Sequence, residues 1–290
     1  MRNAFIVVAA MLLAGVPAYA QDSHAAHIHS VEPVSFSASA QDWAKQRLEK
    51  SSRHQEWVKV KNGNRAVNSF IVYPEVKGKA TAVVVIHEIF GMSDWVRSVA
   101  DQLAEAGYIA IAPDLLSGMG PKGGGSSEFT DRSAVGQAIR DLPPDQITGD
   151  LNAVADYVAK LPAANGKVAV AGFCWGGSQT FRFATNRPGL KAAFVFYGTG
   201  PDNKEAIAKI KAPVYGFYGG NDARVTASVP KSAELMKEAG KTYEPVTYEG
   251  AGHGFMRSGE DPTASDANKE ANKKAREEAW TRWKSILKKL

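Results

Sequence analysis

One cysteine in 290 residues is the sharpest scarcity of this chain, and it excludes a good deal. No intramolecular disulfide can form, so stability has to come from a packed core. The thiol, Cys174, is left as a reactive group, an intermolecular partner or a small buried hydrophobe. Long apolar runs are missing beyond residue 16, so no membrane-spanning helix is expected in a mature chain. Charge of one sign is missing too: 35 Lys and Arg are interleaved with 30 Asp and Glu, for a net charge of +5. Without a basic patch, a recognition helix or a base-stacking aromatic platform, nucleic-acid binding is not expected. No internal repeat and no second folded domain are evident.

What is present begins with a leader. Arg2 precedes an apolar stretch over residues 5–16 (FIVVAAMLLAGV), followed by Ala18-Tyr19-Ala20, the pattern of a cleaved signal peptide. Residues 1–20 are therefore expected to be removed and the protein to be periplasmic or secreted. Residues 21–50 are expected to form a flexible leader. His24, His27 and His29 lie in it without a supporting Cys or carboxylate frame, so they are read as linker and no metal is expected. Residues 51–290 are long enough for one substantial α/β domain.

Within that domain strands alternate with helices. Residues 57–60 and 66–73 suggest a hairpin about Asn62-Gly63-Asn64. Residues 80–86 (ATAVVVI) have the continuous β-branched character of a strand buried on both faces. Helical spacing over residues 94–106 stops at Gly107, and a second buried strand follows at residues 108–112. Residues 115–130 (LLSGMGPKGGGSSEFT) lack periodicity and suggest a mobile surface loop. Later strands are expected at residues 167–171, 192–197, 214–218 and 243–248, with helices at 145–160 and 176–186, near Pro230 and at the C-terminus. The last is expected to lay Ala271, Ala275, Ala279, Trp283, Ile286 and Leu290 along one side. This alternation predicts a single mostly parallel sheet with helices on both faces.

The cysteine sits in Gly172-Phe173-Cys174-Trp175-Gly176, where a predicted strand passes straight into a helix. That is the setting of a nucleophile elbow, whose strained turn needs small neighbours two residues away. A helix N-terminus also favours thiolate. His253, in Gly250-Ala251-Gly252-His253-Gly254, follows the last strand as a candidate base. Asp222, after Tyr218-Gly219-Gly220-Asn221, follows the strand before it as the acid that orients the imidazole. The order Cys, Asp, His is that of the α/β-hydrolase fold. After the first long buried strand comes His87-Glu88-Ile89-Phe90-Gly91, so the N–H groups of Ile89 and Trp175 are the candidate oxyanion hole. Glu88 at this place would either repel a thiolate or hydrogen-bond to a thiol.

The set HEIFG, GFCWGG, GGND and GHGFMR resembles the dienelactone hydrolases, from about Trp57 to the C-terminus. The resemblance implies an α/β-hydrolase fold, a Cys174–His253–Asp222 triad, and Glu88 hydrogen-bonded to the resting thiol until substrate displaces it. It also implies that Arg257 binds a substrate carboxylate, with Phe90, Tyr197 and Phe255 taken as further substrate-binding residues. Two features depart from the family. Pro113-Asp114-Leu115 is followed by Leu116-Ser117-Gly118 and not by Tyr and, two residues later, Arg; and Gly254 stands where a small hydroxyl residue often follows the histidine. The expected activity is hydrolysis of a lactone or small carboxylic ester, anionic or neutral, by a monomer that needs no cofactor. A general carboxylesterase or thioesterase, a non-catalytic ligand-binding scaffold and a thiol redox sensor are the alternatives.

Overall fold

The computed structural model describes Met1, residues 41–265 and residues 267–290. The expected signal peptide, the leader up to residue 40 and its three histidines lie outside the described residues. Helix α1 (Asp42–Glu49) already occupies the stretch where the leader was expected to run on to residue 50. Ala44 and Leu48, one helical turn apart, are buried in the same apolar cluster as the helix that follows the third strand. Two small anchors in an otherwise polar octet leave little periodic signal, and burial decides the outcome.

Strands β1 (Gln55–Asn62) and β2 (Arg65–Val72) form the expected hairpin, joined by Gly63-Asn64 with Gly63 at a φ of +57°. Then come β3 (Ala80–Ile86), α2 (Asp94–Glu105), β4 (Ile109–Pro113), α3 (Arg132–Arg140) and α4 (Pro144–Ala159). The second half runs β5 (Ala164–Phe173), α5 (Trp175–Asn186), β6 (Ala193–Phe196), α6 (Lys204–Ala208), β7 (Val214–Gly219), α7 (Ala223–Thr226) and α8 (Val229–Glu238). It closes with β8 (Tyr243–Tyr248), α9 (Phe255–Ser258) and α10 (Lys269–Leu287).

The strands form one sheet in the order β1-β2-β4-β3-β5-β6-β7-β8. The hairpin and the β2–β4 pair are antiparallel, and every other pair is parallel. This is the mostly parallel α/β-hydrolase sheet. Every residue of β3 is buried, with Ala82, Val84 and Ile86 in one apolar cluster and Val83 and Val85 in the other. Side chains alternate across a strand, so a wholly apolar run demands cover on both faces. Residues of α3, α4, α5 and α8 belong to the first cluster, and those of α1, α2, α9 and α10 to the second. Among the described residues no helix is long and apolar enough to cross a membrane.

The chain leaves β3 for β4 on one side and later returns to β5 on the other. Loops from the carboxyl ends of β3 and β5 must therefore part over the middle of the sheet, which opens a crevice there. Residues 115–130 differ from the loop the sequence suggested. Leu115, Leu116 and Ser117 are buried, and two carboxylates organise the remainder. Asp114 accepts from the N–H groups of Leu116 and Ser126 at 3.1 and 2.7 Å and from Ser126 Oγ at 2.6 Å. Glu128 Oε2 accepts from the N–H groups of Lys122 and Gly124 at 2.8 and 3.0 Å. A Cβ added at Gly125 would fall 2.1 Å from Asp114 Oδ2, so glycine lets the chain wind this closely round its acids.

Candidate active site

β5 delivers Cys174 into a strained turn at the start of α5. Its φ of +57° and ψ of −119° lie outside the regions open to ordinary L-residues, a conformation that costs about 1–3 kcal/mol. The expected demand for small neighbours has a direct geometric cause. A Cβ on Gly172 would stand 2.2 Å from the carbonyl oxygen of Gly176, and one on Gly176 would stand 2.3 Å from that of His87. The turn leaves Sγ partly exposed at the positive end of α5.

Three residues from separate loops meet there. His253 Nε2 lies 3.1 Å from Cys174 Sγ, and His253 Nδ1–H donates to Asp222 Oδ2 at 2.5 Å. Asp222 is 6% exposed, whereas His253 is exposed. Burial works against a charged imidazole. The hydrogen bond and charge of Cys174, reinforced by Asp222, outweigh it and raise His253 to about 9. Tyr197 packs edge-on against the imidazole, with ring centroids 5.1 Å apart, and Phe255 packs edge-on against Tyr197.

Trp175 is the first residue of α5, so its N–H has no partner within the helix ladder. Ile89 lies in the turn after β3, next to Glu88. This turn is fixed by His87, wholly buried, whose Nδ1–H donates to the Glu88 carbonyl at 2.8 Å while Nε2 accepts from Leu115 N–H at 3.4 Å. Burial lowers the pKa of His87, which keeps the imidazole neutral, as that pair of bonds requires. The same ring stacks on Trp175 at 5.5 Å and 14°. His87 thus ties together the two loops that carry the candidate oxyanion donors.

Glu88 is 2% exposed and makes a different bond from the one implied for it. Its Oε2 accepts from Arg257 Nε at 2.9 Å, and Cys174 Sγ faces His253. A guanidinium within reach outcompetes a thiol as partner for a buried carboxylate, because the ion pair also neutralises the charge. Phe90 and Arg257 are partly exposed at the site, with the Arg257 guanidinium 5.7 Å from the Phe90 ring centre. Tyr197 and Phe255 are both wholly buried, which corrects their expected part in substrate contact. They lie beneath the imidazole because α9 and α10 cover this end of the sheet. Gly254 has a φ of +77°, and a Cβ there would approach Arg257 Nη2 to 3.5 Å. Left-handed backbone facing the ion pair accounts for glycine at this position.

Arg132 was not anticipated. It opens α3, and its guanidinium sits 3.5 Å from the Phe90 ring centre, on the ring that Arg257 also faces. No spacing in the sequence connects it to the elbow, since the path of residues 115–130 brings it there.

Residues 67–290 match the dienelactone hydrolase family. A candidate carboxymethylenebutenolidase of Saccharolobus solfataricus is 30% identical over 257 residues, covering 77% of this chain and 94% of that protein. One of Methylorubrum extorquens is 30% identical over 210 residues, covering 68% and 71%. A solved structure of a candidate dienelactone hydrolase from Klebsiella pneumoniae superposes with a TM-score of 0.70 at 25% identity, covering 83% of this chain and all of that one.

Proposed function

The chain belongs to the dienelactone hydrolase family and is an ester or lactone hydrolase, and on that premise we propose that it works through an acyl-cysteine intermediate on Cys174. The observation that carries this reading is the hydrogen-bonded series Cys174 Sγ, His253, Asp222 at 3.1 and 2.5 Å, set at a strained strand-to-helix turn. Sulfur beside an imidazole held charged through neutral pH is a ready nucleophile.

In the proposed cycle Sγ attacks the carbonyl carbon. The developing oxyanion is met by the N–H groups of Trp175 and Ile89, and His253 passes its proton to the departing alkoxide. Water then attacks the thioester with His253 as base, releasing the carboxylic acid and restoring the thiol pair. Asp222 keeps Nδ1 protonated and the ring in line throughout. In a lactone the leaving alkoxide stays tethered to the acyl group, so a single product leaves after water attack. The carboxymethylenebutenolidase names of the relatives make a dienelactone the first substrate to try. Export of the mature enzyme is part of the same proposal and rests on the pattern of residues 1–20.

Cys174→Ala tests the reading. With dienelactone and p-nitrophenyl acetate as substrates, kcat should fall at least about 10³-fold, because removing a nucleophile leaves only binding and the oxyanion donors. Hydrolysis undiminished in that variant would rule out the acyl-cysteine route. N-terminal sequencing of the exported protein should begin at Gln21, and a start at Met1 would remove the signal-peptide reading.

A further inference from the structure

Asn272 is 2% exposed and shares the buried face of α10 with Ala275, Ala279, Trp283 and Leu287. An amide on such a face is unfavourable on two counts, because its polar atoms lose water and because asparagine is a poor helix former. The proposed cycle makes no use of it. A local rule broken at a buried position points to a role elsewhere in the fold.

The loop that carries His253 is wrapped around this asparagine. Asn272 Oδ1 accepts from the Gly252 N–H at 2.8 Å, a buried bond one residue before the imidazole. At the far end of the loop, a Cβ on Gly259 would fall 2.3 Å from the Asn272 carbonyl oxygen. His253 and all of α9 lie between these two glycines. One turn earlier, the N-cap of α10 reaches the loop of the acid. Asn268 Oδ1 accepts from Asn221 Nδ2 at 2.9 Å, next to Asp222, and a Cβ on Gly252 would come 3.3 Å from Asn268 Nδ2. The two loops also meet directly, with the Asn221 N–H donating to the Ala251 carbonyl at 2.8 Å. Further along the same helix, Trp283 packs against Phe173, the residue before Cys174. One rigid element therefore touches the supports of the nucleophile, the acid and the base.

We propose that Asn272 is a positioning residue for the triad: its amide oxygen holds the Gly252 N–H and so keeps His253 in line with Cys174 and Asp222. This role rests on the acyl-cysteine reading and adds a residue outside the triad that sets its geometry. Glycine stands on both sides of His253, so the backbone there is free to turn once its anchor is removed. A buried N–H left without its acceptor would drive that turn.

Asn272→Ala and Asn272→Asp separate positioning from bulk structure. Alanine suits the face it would share with Ala275 and Ala279 and is the stronger helix former, so α10 should hold, whereas aspartate keeps the accepting oxygen. With p-nitrophenyl acetate, Asn272→Ala should lower kcat about 10–100-fold at nearly constant KM, and Asn272→Asp should recover most of that loss. Proton NMR adds a readout that needs no turnover. The downfield His253 Nδ1–H resonance, which reports the bond to Asp222, should persist in Asn272→Asp and broaden or vanish in Asn272→Ala. An unaltered resonance or an undiminished kcat in Asn272→Ala would overturn the role, as would equal losses in the two variants. In the wild type the Gly252 amide should exchange slowly with solvent. Exchange at the rate of an unprotected glycine would remove the bond itself, even if a variant failed to fold. The resonance and the exchange are read without substrate, so their outcome stands apart from that of Cys174→Ala.

Discussion

A histidine with its pKa raised to about 9 is linked to stability as well as to chemistry. The ordinary value is about 6.5, so the folded state holds the imidazole proton more tightly than the unfolded chain does. The stabilisation is fully present below pH 6.5 and is lost as pH rises through about 9. Thermal unfolding of the wild type and of His253→Asn should therefore differ most near pH 6 and converge above pH 9. A gap that widens with rising pH would contradict the pairing with Cys174 and Asp222. The imidazole side chain is 34% exposed, so solvent tempers the effect and its direction is the quantity to test.

At the scale of an element, residues 115–128 show how a glycine-rich stretch can be ordered from within. Glu128 accepts two backbone N–H groups from the coil it closes, and a Cβ added at Gly124 would lie 2.3 Å from its Oε1. Glycines here make room for the acid. Glu128→Ala should release these bonds and raise amide exchange over residues 120–128 about tenfold, with little change in α4. Uniform exchange before and after the substitution would show that Asp114 alone orders the loop. The α1 helix, by contrast, depends on Ala44 and Leu48 reaching the core, since its eight residues are too few for stability in isolation.

For the whole molecule, the aromatic layer beneath the site unites distant parts of the chain. Trp283 of α10 is wholly buried and meets Phe196 edge-on at 4.9 Å, with Phe173 at 6.1 Å and Phe194 at 5.8 Å. Phe173 and Phe196 are the residues just before Cys174 and Tyr197. Truncating Trp283 to Ala would leave a cavity under the elbow and should destabilise the protein by about 3–5 kcal/mol, measurable by urea unfolding. A loss below about 1 kcal/mol would mean that α10 is marginal to this core. The face expected on α10 is nearly the one seen. Ala275, Ala279 and Trp283 are buried as the spacing suggests, while Asn272 and Leu287 join them in place of Ala271, Ile286 and Leu290, which are only partly covered.

The all-apolar run of β3 and the alternation of strands with helices were enough to specify a covered, mostly parallel sheet, because burying both faces leaves few other solutions. Gly172, Cys174 and Gly176 marked the elbow because only glycine tolerates the carbonyl contacts on either side of that turn. Asp222 and His253 could be picked out because a parallel sheet sends the ends of β7 and β8 to the same edge as Cys174. Tertiary structure alone decided which partner each charged group would take. Glu88 could have met the thiol, but it pairs with Arg257 of α9, which carries the opposite charge. Arg132 lies 42 residues from Phe90 in the numbering, and nothing in that separation predicts their stacking. Patterns of burial are local and periodic, so they survive in one dimension. Ion pairs form between whichever groups the folded chain brings together, and that choice is written only in three.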